Sequence, residues 1–262
     1  MLCIVGNEPS AMKSILLSLA LSVLSVAAAD QPAHLFILTG QSNMAGMDPK
    51  LGFEPEAKAL FPGADVAYIK VAVGGQPIRY WVNEWNEIAT RRGVDVAQVR
   101  AKDQGIKATA FYYARILEQF AALVKEHPNA KSVTFCWMQG ENDSKLGLHA
   151  PYAEALKQLI TNLRRDLKRA DMNAVIGRIS DHDKLNPPAW QTVRQMQVEV
   201  ATTDPHGAWV DCDDLNDKEV KGVMTQDLHY TKEGYATLGR RFVRQAKALI
   251  EGRKPAENGR PE

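Results

Sequence analysis

The sequence predicts an α/β fold with a central, mainly parallel sheet. Two patterns carry this expectation. Short runs that are apolar on both faces recur along the chain, as in strands covered on both sides. Between them lie longer segments whose apolar residues return at three- and four-residue steps, the signature of helices packed against a sheet.

The strand candidates come in order. The first is HLFILTG, from His34 to Gly40. DVAYIKVAVGG, from Asp65 to Gly75, follows as one strand or two strand pieces. SVTFCWMQG, NAVIGRIS and AWVDCDDL complete the set, beginning at Ser132, Asn173 and Ala208. In Thr109 to Glu126, Phe111, Ala114, Ile116, Leu117, Phe120, Leu123 and Val124 make one apolar helix face. A second helix opens at Pro151, where a missing N–H costs little. A third follows Pro187-Pro188, and the last opens near Thr231 with Glu233 in its first turn. The polar stretch 90–107 reads as a surface excursion, and 253–262, rich in Gly, Pro and charge, as a disordered tail.

The beginning reads differently. From Met12 on, Lys13 precedes a short apolar core, and Ala27-Ala28-Ala29 offers a small-residue cleavage site. That is the pattern of a secretory signal peptide. Its apolar part is shorter than the roughly 18 residues of a membrane span. The expectation is an exported protein, periplasmic or extracellular, with residues 1–29 removed, translation starting at Met12 and no stable membrane insertion. The remaining 30–252 form one domain. A formal net charge of +1 gives no case for nucleic acid as a partner. Cys136 and Cys212 sit in apolar runs, outside any zinc-like spacing, and read as buried thiols rather than a disulfide.

Ligands in such sheets sit beyond the carboxyl ends of the strands. The tails here are TGQSNM, VGGQP, MQGEND and SDHDK, all rich in glycine, amides or acids. Ser42, beside Gln41 and Asn43, either caps the next helix or is a nucleophile. His229 lies just before the last helix, where it can serve as a base, and Asp227 is near enough in sequence to orient it. Gln139 can donate to an oxyanion, with Asn142 and Asp143 as alternatives by spacing; Glu141 and Asp143 equally suit helix capping. Gly74 and Gly75 let backbone approach a substrate closely. His182, between Asp181 and Asp183, is too thin a donor set for a metal and reads as a polar loop. No metalloprotease, P-loop or dinucleotide motif is present, so neither metal nor cofactor is expected.

Together GQSNMAG, the GG turn, QGE and DLHYTKEGYATLGRRF resemble the SGNH-type hydrolases, and more narrowly carbohydrate esterase family 6 and the sialate O-acetylesterase-like domains. The resemblance spans most of Leu35 to Leu249. It implies a three-layer α/β/α sandwich of flavodoxin-like kind and metal-free removal of acetyl groups from sugars. It makes Ser42 the nucleophile, His229 the base, and Ser42, Gly75 and Gln139 the oxyanion hole. Gln41, Asn43, Gly74, Arg79, Glu141 and Asn142 are expected at the substrate. One departure stands out: members carry Asp three residues before the histidine, where this chain has Gln226. Asp227 then completes a triad from a shifted position, or the site works as a Ser-His dyad. The rival readings are an SGNH lipase or thioesterase acting on longer acyl chains, and a weak or inactive carbohydrate-binding homologue stacking sugars on Trp81, Trp85, Trp137 or Trp190.

Overall fold

The computed structural model describes residues 31–102 and 108–260. The leader and the possible early start lie outside these residues. Five strands form one parallel sheet in the order β2-β1-β3-β4-β5: β1 (Ala33–Gly40), β2 (Asp65–Ala72), β3 (Ala130–Met138), β4 (Asn173–Gly177) and β5 (Gly207–Val210). The 65–75 segment is thus a single strand followed by a turn. Nearly every residue of β1, β3 and β4 is buried, which is why these strands read as continuous apolar runs rather than alternating ones.

Helices cover both faces, so the three-layer expectation holds. On one face lie α2 (Phe53–Leu60) and α9 (Lys232–Ile250); on the other are α5 (Phe111–Glu126), α7 (Tyr152–Asp166) and α8 (Pro187–Thr203). Short helices α1 (Ser42–Gly46), α3 (Trp85–Arg91), α4 (Val96–Ala101) and α6 (Glu141–Lys145) sit in the connections. The 90–107 excursion therefore contains a helix, α4, started by the Asp95 carboxylate accepting from Gln98 N–H at 2.9 Å. Residues 103–107 of that excursion lie outside the described set.

Two features depart from the sequence reading. Residues 217–226 form an antiparallel hairpin, β6 (Asp217–Val220) and β7 (Val223–Gln226). Its turn residues Lys221 and Gly222 both have positive φ, 53° and 78°, the conformation that two-residue hairpins favour. Residues 253–260 of the expected disordered tail are docked beside the end of β5 and against α9. Asp211 N–H donates to Asn258 O at 2.8 Å, Gln245 Nε2 to Ala256 O at 2.8 Å, and Arg260 Nε to Asp211 at 2.9 Å. The polar tail finds its partners at Asp211, just past the edge strand, and at Gln245 of α9, contacts that composition does not reveal.

Strand order locates the functional end. After β2 the chain returns to the other side of β1, so the connections leaving β1 and β3 diverge and open a crevice at their carboxyl ends. GQSNM and QGEND both lie there. The two strands end alike: Gly40 and Gly140 each have φ of 146°, and each is followed within two residues by a five-residue helix. A Cβ on Gly40 would stand 1.9 Å from Met138 O, so only glycine lets β1 turn so close to β3.

Candidate active site

The chain leaves β1 through Gln41, whose N–H donates to Met138 O at 2.9 Å. Ser42 follows at the first helical position, half-buried, and its Oγ has no hydrogen bond among the described residues. Gln41, not Ser42, occupies the position before the helix, so the capping alternative for Ser42 does not hold. Gly74 packs beside it: a Cβ there would lie 3.6 Å from Ser42 Cβ. Gly75 has φ of 68° and faces open space. The glycine turn is therefore the wall next to the Ser42 side chain, as close approach of backbone requires.

Asn43 ties the serine to the histidine segment. Its Nδ2 donates to Glu141 Oε1 at 2.8 Å and to Leu228 O at 3.2 Å, and its Oδ1 accepts from Tyr235 OH at 3.1 Å. All three bonds come from distant parts of the chain. They join the residue after Ser42 to the residue before His229, so both candidates stand at one edge of the sheet. His229 is exposed and its ring has no hydrogen bond among the described residues.

Asp227 does not orient that ring here. Its Oδ2 accepts from Lys218 Nζ at 2.7 Å and its Oδ1 from Leu228 N–H at 2.7 Å. The Lys218 ammonium holds the carboxyl below its usual range. Gln226, in the place where the resemblance leads one to expect an acid, donates to Asp181 Oδ2 at 2.8 Å.

The amide-rich turn after β3 divides its tasks. Gln139 is fully buried, and its Nε2 faces three acceptors: Asp143 Oδ2, Gln76 O at 3.1 Å and Gln41 Oε1 at 3.2 Å. Its backbone carbonyl accepts from Tyr152 OH at 2.6 Å and Gln197 Nε2 at 2.7 Å. With two amide hydrogens and three acceptors, its Nε2 has no hydrogen left to donate to a substrate. Asn142 is half-buried, and its Nδ2 spends one hydrogen on Gly75 O at 2.8 Å. It therefore reaches the glycine turn beside Ser42 with its second hydrogen uncommitted. Arg79 is buried in the 3-10 turn Ile78–Tyr80, near enough to Asp143 to favour its charged form.

Two carboxylates lie beneath this layer. Burial pushes Glu141 up to about 7 and Asp143 up to about 6, each from an ordinary value near 4. Both bind protons more tightly folded than unfolded. Their contribution is most favourable below the unfolded values and is lost as pH rises through the folded ones. Between pH 5 and 8 the wild type is expected to lose about 2 kcal/mol relative to Glu141→Gln. Denaturant unfolding at the two pH values reads this directly, and parallel curves would reject it.

Cys136 and Cys212 are both free and buried, and burial pushes both thiols up. No group of three or more potential metal ligands occurs among the described residues. Trp81, Trp85, Trp137 and Trp190 are all fully buried, so none offers a face to a sugar. No helix among the described residues is long and apolar enough to cross a membrane.

A five-stranded parallel sheet between helices, with serine, amide and histidine motifs at its switch point, defines an SGNH-type hydrolase. Residues 45–248 match the family described as carbohydrate esterase, sialic acid-specific acetylesterase, and the chain belongs to it: a hydrolase of ester bonds. The match begins just beyond Ser42. No curated protein sequence matches significantly. Solved structures support the fold. A protein of Arabidopsis thaliana is 20% identical with a TM-score of 0.56, covering 83% of this chain and 98% of its own. NanS is 13% identical with a TM-score of 0.56, covering 85% and 98%. A carbohydrate acetylesterase from Xanthomonas citri is 16% identical with a TM-score of 0.54; the alignment covers 83% of this chain but only 57% of that one.

Proposed function

We propose that this protein is an exported serine esterase that removes O-acetyl groups from carbohydrates through an acetyl-serine intermediate. The observation that carries the reading is the Asn43 clamp, which fixes the segments bearing Ser42 and His229 side by side at the sheet's switch point. Family membership supports an acetylated carbohydrate as substrate. The leader-like segment before Asp30 supports export.

In this mechanism His229 removes the Ser42 proton as Oγ attacks the acetyl carbonyl. The C–O bond to serine forms while the carbonyl oxygen takes the negative charge. Hydrogen bonds from Ser42 N–H, Gly75 N–H and the free Asn142 amide hydrogen stabilise that oxyanion. Asn142 takes the place expected for Gln139, whose amide is committed inside. Protonated His229 then gives its proton to the sugar oxygen as the bond to the acetyl carbon breaks. Water, deprotonated by the same imidazole, releases acetate and restores the serine.

Ser42 with His229 alone makes a working dyad, since the Asp227 carboxylate is held by Lys218. The test is acetate release from acetylated xylan, acetylated sialic acid and longer-chain esters, with wild type and Asn142→Ala. Acetate from a glycan is expected, with a loss of about 100-fold in the variant, as for removal of one oxyanion donor. Preference for long acyl esters, or binding with no acetate released, would overturn the reading.

A further inference from the structure

Both polar atoms of the Asn43 amide are engaged, and both amide hydrogens are committed. One hydrogen goes to Leu228 O, directly before His229; the other goes to Glu141 Oε1; the oxygen accepts from Tyr235 OH. An amide can be turned over, exchanging its oxygen for its nitrogen. Turned over, Asn43 would set its oxygen against the Leu228 and Glu141 oxygens and its NH2 against the Tyr235 hydroxyl. Glu141 and the Leu228 carbonyl together favour the observed orientation, since both accept and neither donates. It is 3% exposed, Asn43 is 1% exposed, and Glu141 Oε2 is buried with no hydrogen-bond partner. A carboxylate taken out of water and given one side-chain partner is costly to keep. The site holds it where it reaches neither open solvent nor a cation.

We infer that Glu141 is a positioning residue: through Asn43 it sets the distance between Ser42 and His229. The inference rests on the assignment of those two residues made above, and it deepens that assignment by saying what holds them in register. Glu141 enters α6 from the end of β3 and does not touch the substrate. The groups around it belong to four further elements. Asn43 approaches from α1, Tyr235 from α9, Tyr230 from the loop before α9 and Tyr152 from α7, while Asp143 shares α6. No cation stands among them, so Glu141 acts as a hydrogen-bond acceptor and not as half of an ion pair. Its neutral form still offers a carbonyl oxygen to Asn43, so the clamp weakens on protonation without reversing.

The role separates kcat from KM. In Glu141→Ala the Asn43 amide loses one acceptor, the Leu228–His229 segment is freed to shift, and kcat on an aryl acetate falls about 100-fold, as for a displacement of about 1 Å at the reacting atoms. KM stays within about twofold, because ground-state binding is untouched. Glu141→Gln, whose Oε1 can accept from the same Nδ2, recovers activity to within about fivefold of wild type. Labelling of Ser42 by a fluorophosphonate slows in step with kcat. Tyr235→Phe removes the third bond of the clamp while keeping the ring, lowers kcat severalfold, and tests the same claim if Glu141→Ala fails to fold.

A rise in KM at constant kcat would place Glu141 on the substrate and overturn the inference. So would Glu141→Gln as impaired as Glu141→Ala, or a Glu141→Ala enzyme with wild-type kcat. Wild-type protein that neither labels at Ser42 nor hydrolyses the ester would remove the assignment of the site itself, and this inference with it.

Discussion

Ser42→Ala abolishes hydrolysis of an aryl acetate, while the protein remains folded and as stable as the wild type. The expected loss in kcat is about 10⁵-fold or more, since in hydrolases of this kind the nucleophile and base act as a unit and removing either removes nearly all their joint effect. Folding is spared because Ser42 Oγ bonds to no described residue and the side chain is half-buried. Nothing buried is left unsatisfied by its loss. The hydroxyl stands beside Gly74 with no structural work to do. The measurement is acetate release together with fluorophosphonate labelling, which should vanish in the variant. Undiminished turnover would mean that another residue attacks, and the mechanism would fail at its first step.

Much of this was legible in the sequence, for a physical reason. Buried parallel strands announce themselves as unbroken apolar runs, so β1, β3, β4 and β5 were all visible. β1 ends in Gly40 because its backbone passes too close to Met138 for any side chain, and Gly140, just past β3, is crowded by the Gln197, Val193 and Tyr152 side chains. The functional motifs follow those glycines, so their positions came with the strands. What could not be read was which partner each polar side chain chooses. Gln139 and Asn142 have the same chemistry and lie three residues apart. Only the fold shows that Gln139 points inward to Asp143 and Gln76, while Asn142 reaches Gly75. The β6–β7 hairpin was missed because its strands are only four residues long and exposed, leaving no period of burial to detect. Its Lys-Gly turn was the one available sign. The docked tail was hidden for a similar reason: its partners are Asp211, just past β5, and the Gln245 side chain of α9, choices that composition does not record.

His229→Ala is the second large effect, and its contrast with Asp227→Asn decides whether the site is a dyad or a triad. Removing the imidazole takes away both the base that activates Ser42 and the acid that protonates the departing sugar. Activity on acetyl esters should fall about 10⁴-fold or more. Where an orienting carboxylate is bonded to the imidazole, its conversion to an amide costs about 10⁴-fold as well. Here that bond is absent. Asp227 accepts from Lys218 and from the backbone N–H of Leu228, so it braces the loop from beneath and leaves the ring alone. The Lys218–Asp227 pair is exposed, with about half of the Asp227 side chain in solvent, and such pairs stabilise by at most about 1 kcal/mol. Asp227→Asn should therefore keep kcat/KM within about tenfold of wild type, since only the loop's bracing is weakened. Its amide oxygen can still accept from Leu228 N–H. Parallel kinetics on the two variants give the answer. If Asp227→Asn matches His229→Ala, the carboxylate must swing from Lys218 to the imidazole during catalysis, and the hairpin that carries Lys218 must move with every turnover.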